Sequence, residues 1–373
     1  MIRIFYIAAC ALCTLTMITP TIAKAQGGEG IIVAGLERPA DRPLERIVGF
    51  SSHYGVVEAR DGAKLRTIVT TPDGTHGPLR PILFTQWVSC GTIEFRNAEN
   101  ILATLAKESG LALIRVERAS DGDSIGATCG TLDYDTEVAH YIEAFAAVLA
   151  DSRIDPSEIF IYGSSLGSTT APLVGKELQD MGFDIAGVAV QGGGAETYYE
   201  RMLTFDRHYL ERRPDDVAPE DIHSEMISRA RFHYEYLIND RHPDDIASDS
   251  AAMANVRDDI LGLGETEHYG RPFAWHQQAA KKNFLAAWAA IDAPVMVIFN
   301  EFDQFEAEYG HKVIVEMVNR LRPETATLIV QENIGHSNFR YQDIVSAYPR
   351  KGGETAWAQT AKILVDWFKS LSE

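Results

Sequence analysis

The chain has 373 residues, 46% of them hydrophobic and 23% charged, with a formal net charge of -19. That balance excludes a disordered chain, which lacks the apolar content to fold. It also excludes nucleic acid as a partner, because phosphate backbones need a basic face. The length allows one large α/β domain or two small ones.

The first residues read as an export signal. Arg3 supplies a positive start, Ile4 to Ile18 form an apolar core, Pro20 breaks it, and Ala23 and Ala25 set up cleavage before Gln26. The apolar run is shorter than the ~20 residues of a spanning helix, so a cleaved signal over 1–25 is expected rather than a retained anchor. The expected mature protein is periplasmic or secreted, with no membrane association. Cys10 and Cys13 leave with the signal, and Cys90 and Cys129 remain. In an oxidising compartment they are a candidate disulfide, the alternative being two free thiols.

Residues 26–46 mix glycine, proline and charge without period and read as an extended lead-in. "GVVEARDGAKLRTIVTTP" then carries an Asp61-Gly62 turn between alternating runs, a hairpin pattern. From Pro81 the pattern alternates between strand and helix. "PILFTQWV", "LALIRVE", "EIFIYG" and "IAGVAVQGG" are strands, separated by helices over "NAENILATLAKESG", "DYDTEVAHYIEAFAAVLA" and "TAPLVGKELQDMG". The second of these helices puts Tyr134, Val138, Tyr141, Ile142, Phe145 and Leu149 on one stripe. Pro172 in the third predicts a kink or a 3₁₀ start.

Residues 195–290 interrupt the alternation with charge, aromatics and histidine, and read as irregularly spaced helices. Strand "PVMVIFN", helix "HKVIVEMVNRL", strand "TATLIVQE" and helix "AWAQTAKILVDWFKSL" follow, the last with Trp357, Leu364, Trp367, Phe368 and Leu371 on one face. The expected class is α/β, a mostly parallel sheet covered on both sides. The expected organisation is a signal over 1–25, a core over 26–194, a helical cap over 195–290, and the rest of the core over 291–373.

In such a sheet ligands sit beyond the carboxyl ends of the strands. One strand runs into Gly163-Ser164-Ser165-Leu166-Gly167 and then helix. A serine forced into a tight strand-to-helix turn needs glycine two residues to either side, and that spacing selects Ser165 over Ser164. The unpaired Leu166 N–H at the helix start is the natural first donor to a developing oxyanion. Trp87 or Val88, after "PILFTQ", is the candidate second. Asp303 and His336 each follow a later apolar strand, which completes the order nucleophile, acid, histidine. Glu301 is the alternative acid.

With these motifs the chain resembles the α/β-hydrolase family. "GSSLG" resembles its nucleophile elbow, "NEFD" its acid turn, "IGHSNF" its histidine loop, and "RASDGDSIG" a glycine-containing turn found in esterase and peptidase branches. The resemblance covers about 49–372 and implies an α/β-hydrolase fold with a helical cap and no cofactor. Two departures are "TQWVSC", where many members carry His-Gly, and Asn300 in place of the acid-turn glycine. In this fold Cys90 and Cys129 follow neighbouring strands, so a disulfide would stiffen the oxyanion loop.

The expected activity is hydrolysis of a small carboxylic ester through a Ser165–His336–Asp303 triad and an acyl-enzyme. Cleavage of short peptides is the alternative, with Glu200 or Glu220 as an anchor for the peptide amino terminus. An acyltransferase, which needs the same triad and a dry site, and an inactive hydrolase-fold binding protein are further alternatives. No metal site is expected among His208, His223, His233, His242, His268 and His276, none of which pair at ligand spacing. The segment from Tyr269 to Gln278 is a candidate substrate-contacting stretch, and His140 reads as a packing residue.

Overall fold

The computed structural model describes residues 30–212, 218–350 and 352–372; the stretch expected to be an export signal, with its expected cleavage site, lies outside them. Eight strands form the central sheet: β1 (Phe50–Glu58), β2 (Lys64–Pro72), β3 (Pro81–Thr85), β4 (Ala112–Val116), β5 (Ile159–Ser164), β6 (Ile185–Gln191), β7 (Val295–Asn300) and β8 (Ala326–Gln331). Their spatial order is β1-β2-β4-β3-β5-β6-β7-β8. The β1–β2 and β2–β4 pairs are antiparallel and every later pair is parallel.

Alternate side chains of each strand enter opposite layers. Ile159 and Ile161 of β5 face a core built with α2 (Tyr134–Val148), α3 (Gly167–Asp180) and α10 (Glu308–Leu321). Phe160 and Tyr162 face a second core with α1 (Ile101–Glu108) and α12 (Trp357–Ser370). Register aligns the strand ends, with Thr85 opposite Gly163, Ser164 opposite Gln191, and Asn300 opposite Gln331. The turns that follow these ends therefore share one edge of the sheet.

Between β6 and β7 the chain forms α4 (Tyr198–Arg212), α5 (Pro219–His233) with a π-turn at Tyr234–Ile238, α6 (Pro243–Ala247), α7 (Ala251–Asp259), α8 (Phe273–Ala280) and α9 (Phe284–Ala290). These helices share a third apolar cluster, including Phe232, Tyr236, Phe273 and Trp275, which also takes in Leu166 beside the nucleophile turn.

Four details differ from the sequence expectation. The lead-in contains a short hairpin, Ile31–Val33 with Leu36–Arg38, fastened by the buried Arg38 to Asp123 at 2.9 Å and to Glu94 at 2.8 Å. The first helix begins later than its sequence pattern, at Ile101, because Asn100 Oδ1 caps the Ala103 N–H at 2.8 Å. Pro172 lies inside α3, which runs through it as α-helix. Trp357 leaves the core face of α12 and packs edge-on against Phe339 at 5.7 Å.

Cys90 and Cys129 are disulfide-bonded, with Cα atoms 6.2 Å apart and a separation of 39 positions in sequence. Closing a loop of that size is worth about 4 kcal/mol in the chain-entropy model. The Cys129→Ser variant is therefore expected to lose roughly 2–4 kcal/mol in denaturant unfolding. Thiol titration of the denatured wild type should find neither cysteine free.

Candidate active site

The turn at Ser165 begins with a close approach of backbones. A Cβ on Gly167 would stand 1.9 Å from the Thr85 carbonyl oxygen, and one on Gly163 would stand 2.3 Å from the Gly167 oxygen. Only glycine fits at either place. The squeeze leaves Ser165 with φ +54, the left-handed conformation that nonglycine residues rarely take. Its N–H donates to Gln191 O at 2.7 Å and its carbonyl accepts from Ser168 Oγ at 2.5 Å, which fixes both sides of the turn.

His336 meets this serine from the loop after β8. Its Nε2 lies 2.8 Å from Ser165 Oγ, and its Nδ1 lies 2.7 Å from Asp303 Oδ2. Asp303, at the turn after β7, is 2% exposed. Its other oxygen accepts the N–H groups of Phe305 at 2.8 Å and Glu306 at 2.9 Å. Burial opposes charge on Asp303, but the His336 charge and these hydrogen bonds outweigh it and hold the carboxyl below its usual range. Burial likewise opposes protonation of His336, and Asp303 outweighs it, so the imidazole sits above its ordinary value.

The sequence-selected residues divide clearly. Ser165, Asp303 and His336 come together, whereas Glu301 points away and accepts the Asn333 N–H at 2.8 Å. Ser164 also borders the cavity, but its Oγ bonds Gln191 Oε1 at 3.4 Å rather than the histidine. Glu200 is exposed and caps its own helix through the Thr197 N–H at 3.0 Å; Glu220 is exposed at the start of α5. Neither lines the cavity, so the proposed peptide anchors fail. His140 is buried with Nε2 2.9 Å from Asp61. Of the cap histidines, His233 bonds Asp206 at 2.8 Å, His276 bonds Tyr198 Oη at 2.8 Å, and His208 bonds Gln304 O at 3.0 Å. Among the described residues no three His, Cys, Asp or Glu side chains group to hold a metal.

Three supports were given no role by the sequence. Asn300 Nδ2 donates to Gly335 O at 2.9 Å, so the residue that replaces a glycine ties the acid turn to the histidine loop. Gln304 Oε1 accepts the His336 N–H at 3.0 Å. The third is buried Glu137 on α2, which accepts from Arg118 Nε at 2.5 Å and Trp275 Nε1 at 3.0 Å and pairs with Arg271 at 3.0 Å. The two guanidiniums then grip the loop after β3. Arg118 donates to Trp87 O and, at 2.9 Å, to Ser89 O; Arg271 Nε donates to Val88 O at 3.1 Å. Three successive carbonyls are thus held on one side of the loop that carries both candidate oxyanion donors. Burial works against the Glu137 charge, but Arg118 and Arg271 outweigh it and keep the carboxyl low.

Ser165, Leu166 and His336 open into a cavity of about 640 Å³, whose wall includes the rings of Trp87, Phe305 and Tyr269. Trp87 and Val88 both line it.

No family model and no curated protein matches the chain. Solved structures do. An esterase of Pyrococcus furiosus is 14% identical, with a TM-score of 0.51 over 87% of this chain and 97% of its own. The fold is that of the α/β-hydrolases. Brefeldin A esterase, described as a bacterial homologue of human hormone sensitive lipase, aligns over 89% of this chain and 79% of its own at 13% identity and TM-score 0.51. The acylaminoacyl peptidase of Pyrococcus horikoshii aligns at 10% identity and TM-score 0.52 over 86% of this chain but 42% of its own. At these identities the α/β-hydrolase likeness concerns the fold. The strand order and the eight-stranded sheet agree with it.

Removing the Glu137 charge leaves Arg118 and Arg271 buried without their shared counter-ion. The expected cost of Glu137→Ala is about 3–5 kcal/mol, the range for a broken buried ion pair. Urea unfolding checks it.

Proposed function

We propose that this chain is a serine hydrolase acting on carboxylic esters. The observation that carries the reading is the alignment of Ser165 Oγ, His336 and Asp303, with hydrogen-bond distances of 2.8 and 2.7 Å at the mouth of a cavity. His336 Nε2 takes the proton from Ser165 as its oxygen attacks the ester carbonyl. Asp303 holds the imidazole with Nδ1 protonated and stabilises the imidazolium that forms. The oxyanion is received by the Leu166 N–H and by an N–H of Trp87 or Val88. His336 then returns its proton to the leaving alcohol, and water activated by the same histidine releases the acid from the acyl-enzyme.

The reading extends to organisation and place. Residues 195–290 act as the cap over the site, since Tyr198, Arg201, Phe205 and Tyr269 from that stretch line the cavity. The mature protein is exported after cleavage following Ala25. The disulfide supports this, and no helix among the described residues is long and apolar enough to cross a membrane. Esters rank above peptides because Glu200 and Glu220 do not reach the cavity; the likeness to an acylaminoacyl peptidase keeps amide substrates as the second reading. A filled and aligned triad stands against an inactive binding protein.

A fluorophosphonate probe is expected to label wild type and Ser164→Ala, and to leave Ser165→Ala unlabelled. Ser165→Ala should also lose on the order of 10⁴-fold or more in kcat on p-nitrophenyl esters. A well-folded wild type that neither labels nor turns over any ester would refute the assignment.

The pH profile gives an independent check. His336 must be neutral to accept the serine proton, so kcat/KM should rise with pH through a midpoint above the ordinary histidine value of about 6.5. Asp303→Asn removes the charge that raises it. The midpoint of the remaining activity should move down, with kcat lower by about 10⁴-fold.

A further inference from the structure

The wall of the cavity contains two polar donors that the triad chemistry does not use. Arg201, near the start of α4, is 5% exposed. Its Nε, at 2.8 Å, and its Nη2 both donate to Glu306 Oε1, while Nη1 has no partner among the described residues. Tyr269, between the short strands Glu267–His268 and Arg271–Pro272, also lines the cavity, and its Oη is shielded from water with no partner among the described residues. A buried donor without an acceptor costs free energy, and where such a group stands in a cavity wall a bound molecule can supply the acceptor.

Both donors lie against the rings that surround the histidine. The Arg201 guanidinium sits 5.5 Å from the Phe205 ring centre. That ring is 6.4 Å from Tyr269 and 5.2 Å from Phe305, which in turn is 5.0 Å from His336. Tyr269 is held there at φ +50, an uncommon conformation for a bulky residue. Its N–H donates to Gly262 O at 2.9 Å, and its ring stacks on His268 at 4.6 Å.

The surrounding charge selects the kind of acceptor. The Arg201 charge is already matched by Glu306, and the carboxyls of Asp303 and Glu196 belong to the same buried group. Burial, with Asp303 and Glu196 nearby, pushes Glu306 up to about 7. A second anion at Nη1 would meet that repulsion, whereas an uncharged oxygen would not. Exposed Arg350, 5.5 Å from the Phe305 ring, lies at the rim, where water screens it.

We propose that Arg201 and Tyr269 form a subsite for a second, uncharged carbonyl oxygen of the substrate, so that the preferred esters also carry a ketone or amide. This rests on the ester-hydrolase reading of Ser165. The test uses matched esters in which one methylene is replaced by a carbonyl, in the acyl chain or in the alcohol, with a carboxylate-bearing ester as the charged comparison. Binding is measured by calorimetry on Ser165→Ala and turnover on wild type. In one series the carbonyl member is expected to bind tenfold or more tightly, the range for a hydrogen bond to a charged donor. Arg201→Met and Tyr269→Phe should each remove most of that preference. Tyr269→Phe deletes a single oxygen and serves where loss of Arg201 leaves Glu306 unpaired and the fold at risk. Equal binding of both members in both series would overturn the subsite, as would tighter binding of the carboxylate ester. So would an equal loss of affinity for both members in the variants. A carbonyl preference in binding without turnover by wild type would support the subsite and count against the hydrolase reading.

Discussion

The close packing of α3 against the end of β3 is the constraint from which the site follows. Gly167 lies so near the Thr85 carbonyl that no side chain fits, and Thr85 Oγ1 donates back to Gly167 O at 2.8 Å. The helix therefore starts without room for an ordinary turn, and Ser165 takes the left-handed conformation. That conformation lifts its Oγ beyond the sheet edge, where His336 reaches it. The same contact sets the start of α3 next to the loop at Trp87. Ser165 and the candidate oxyanion donors are thus positioned by one backbone contact rather than by separate side-chain adjustments.

Charge inside the protein follows a different logic from charge on its surface. The net charge of -19 belongs to the solvated exterior, whereas several arginines are almost fully buried, each beside a carboxylate. Such pairs add little to stability when intact because desolvation offsets their attraction, but losing one partner is costly. They are suited to fixing geometry. Arg38 and Asp123 fasten the amino-terminal hairpin to the core, Arg118 and Glu137 fasten the loop after β3, and Arg201 and Glu306 fasten α4 to the loop after β7.

Much of this was legible in the residues, and the limits have physical causes. Ser165, Asp303 and His336 could be read because each ends an apolar strand, and strand ends of a parallel sheet converge whatever lies between them. The hairpin around Asp61-Gly62 and the helix stripes were legible because their periodicity is local. Glu137 was not: the helix pattern weighs apolar positions, and the partners that hold its charge are 19 and 134 residues away. Arg38 was lost in an apparently irregular lead-in for the same reason. Trp357 was assigned to the core by its helical spacing, but it sits at the first turn of α12, past the edge of the layer its spacing pointed to.

Glu137 also changes how the helical segment should be understood. It belongs to the core, but two of its donors, Arg271 and Trp275, come from the stretch that reads as an insertion. Arg271 carries the link onward to the Val88 carbonyl. The loop of Trp87 and Val88 is then shaped jointly by the core and by the helical segment between β6 and β7, with the Cys90–Cys129 bond closing the far end of the same loop. On this arrangement the helical segment is more than a roof. At Thr85-Gln86-Trp87 and the residues that follow, buried charge from that segment supplies the rigidity that local backbone preference would otherwise have to provide.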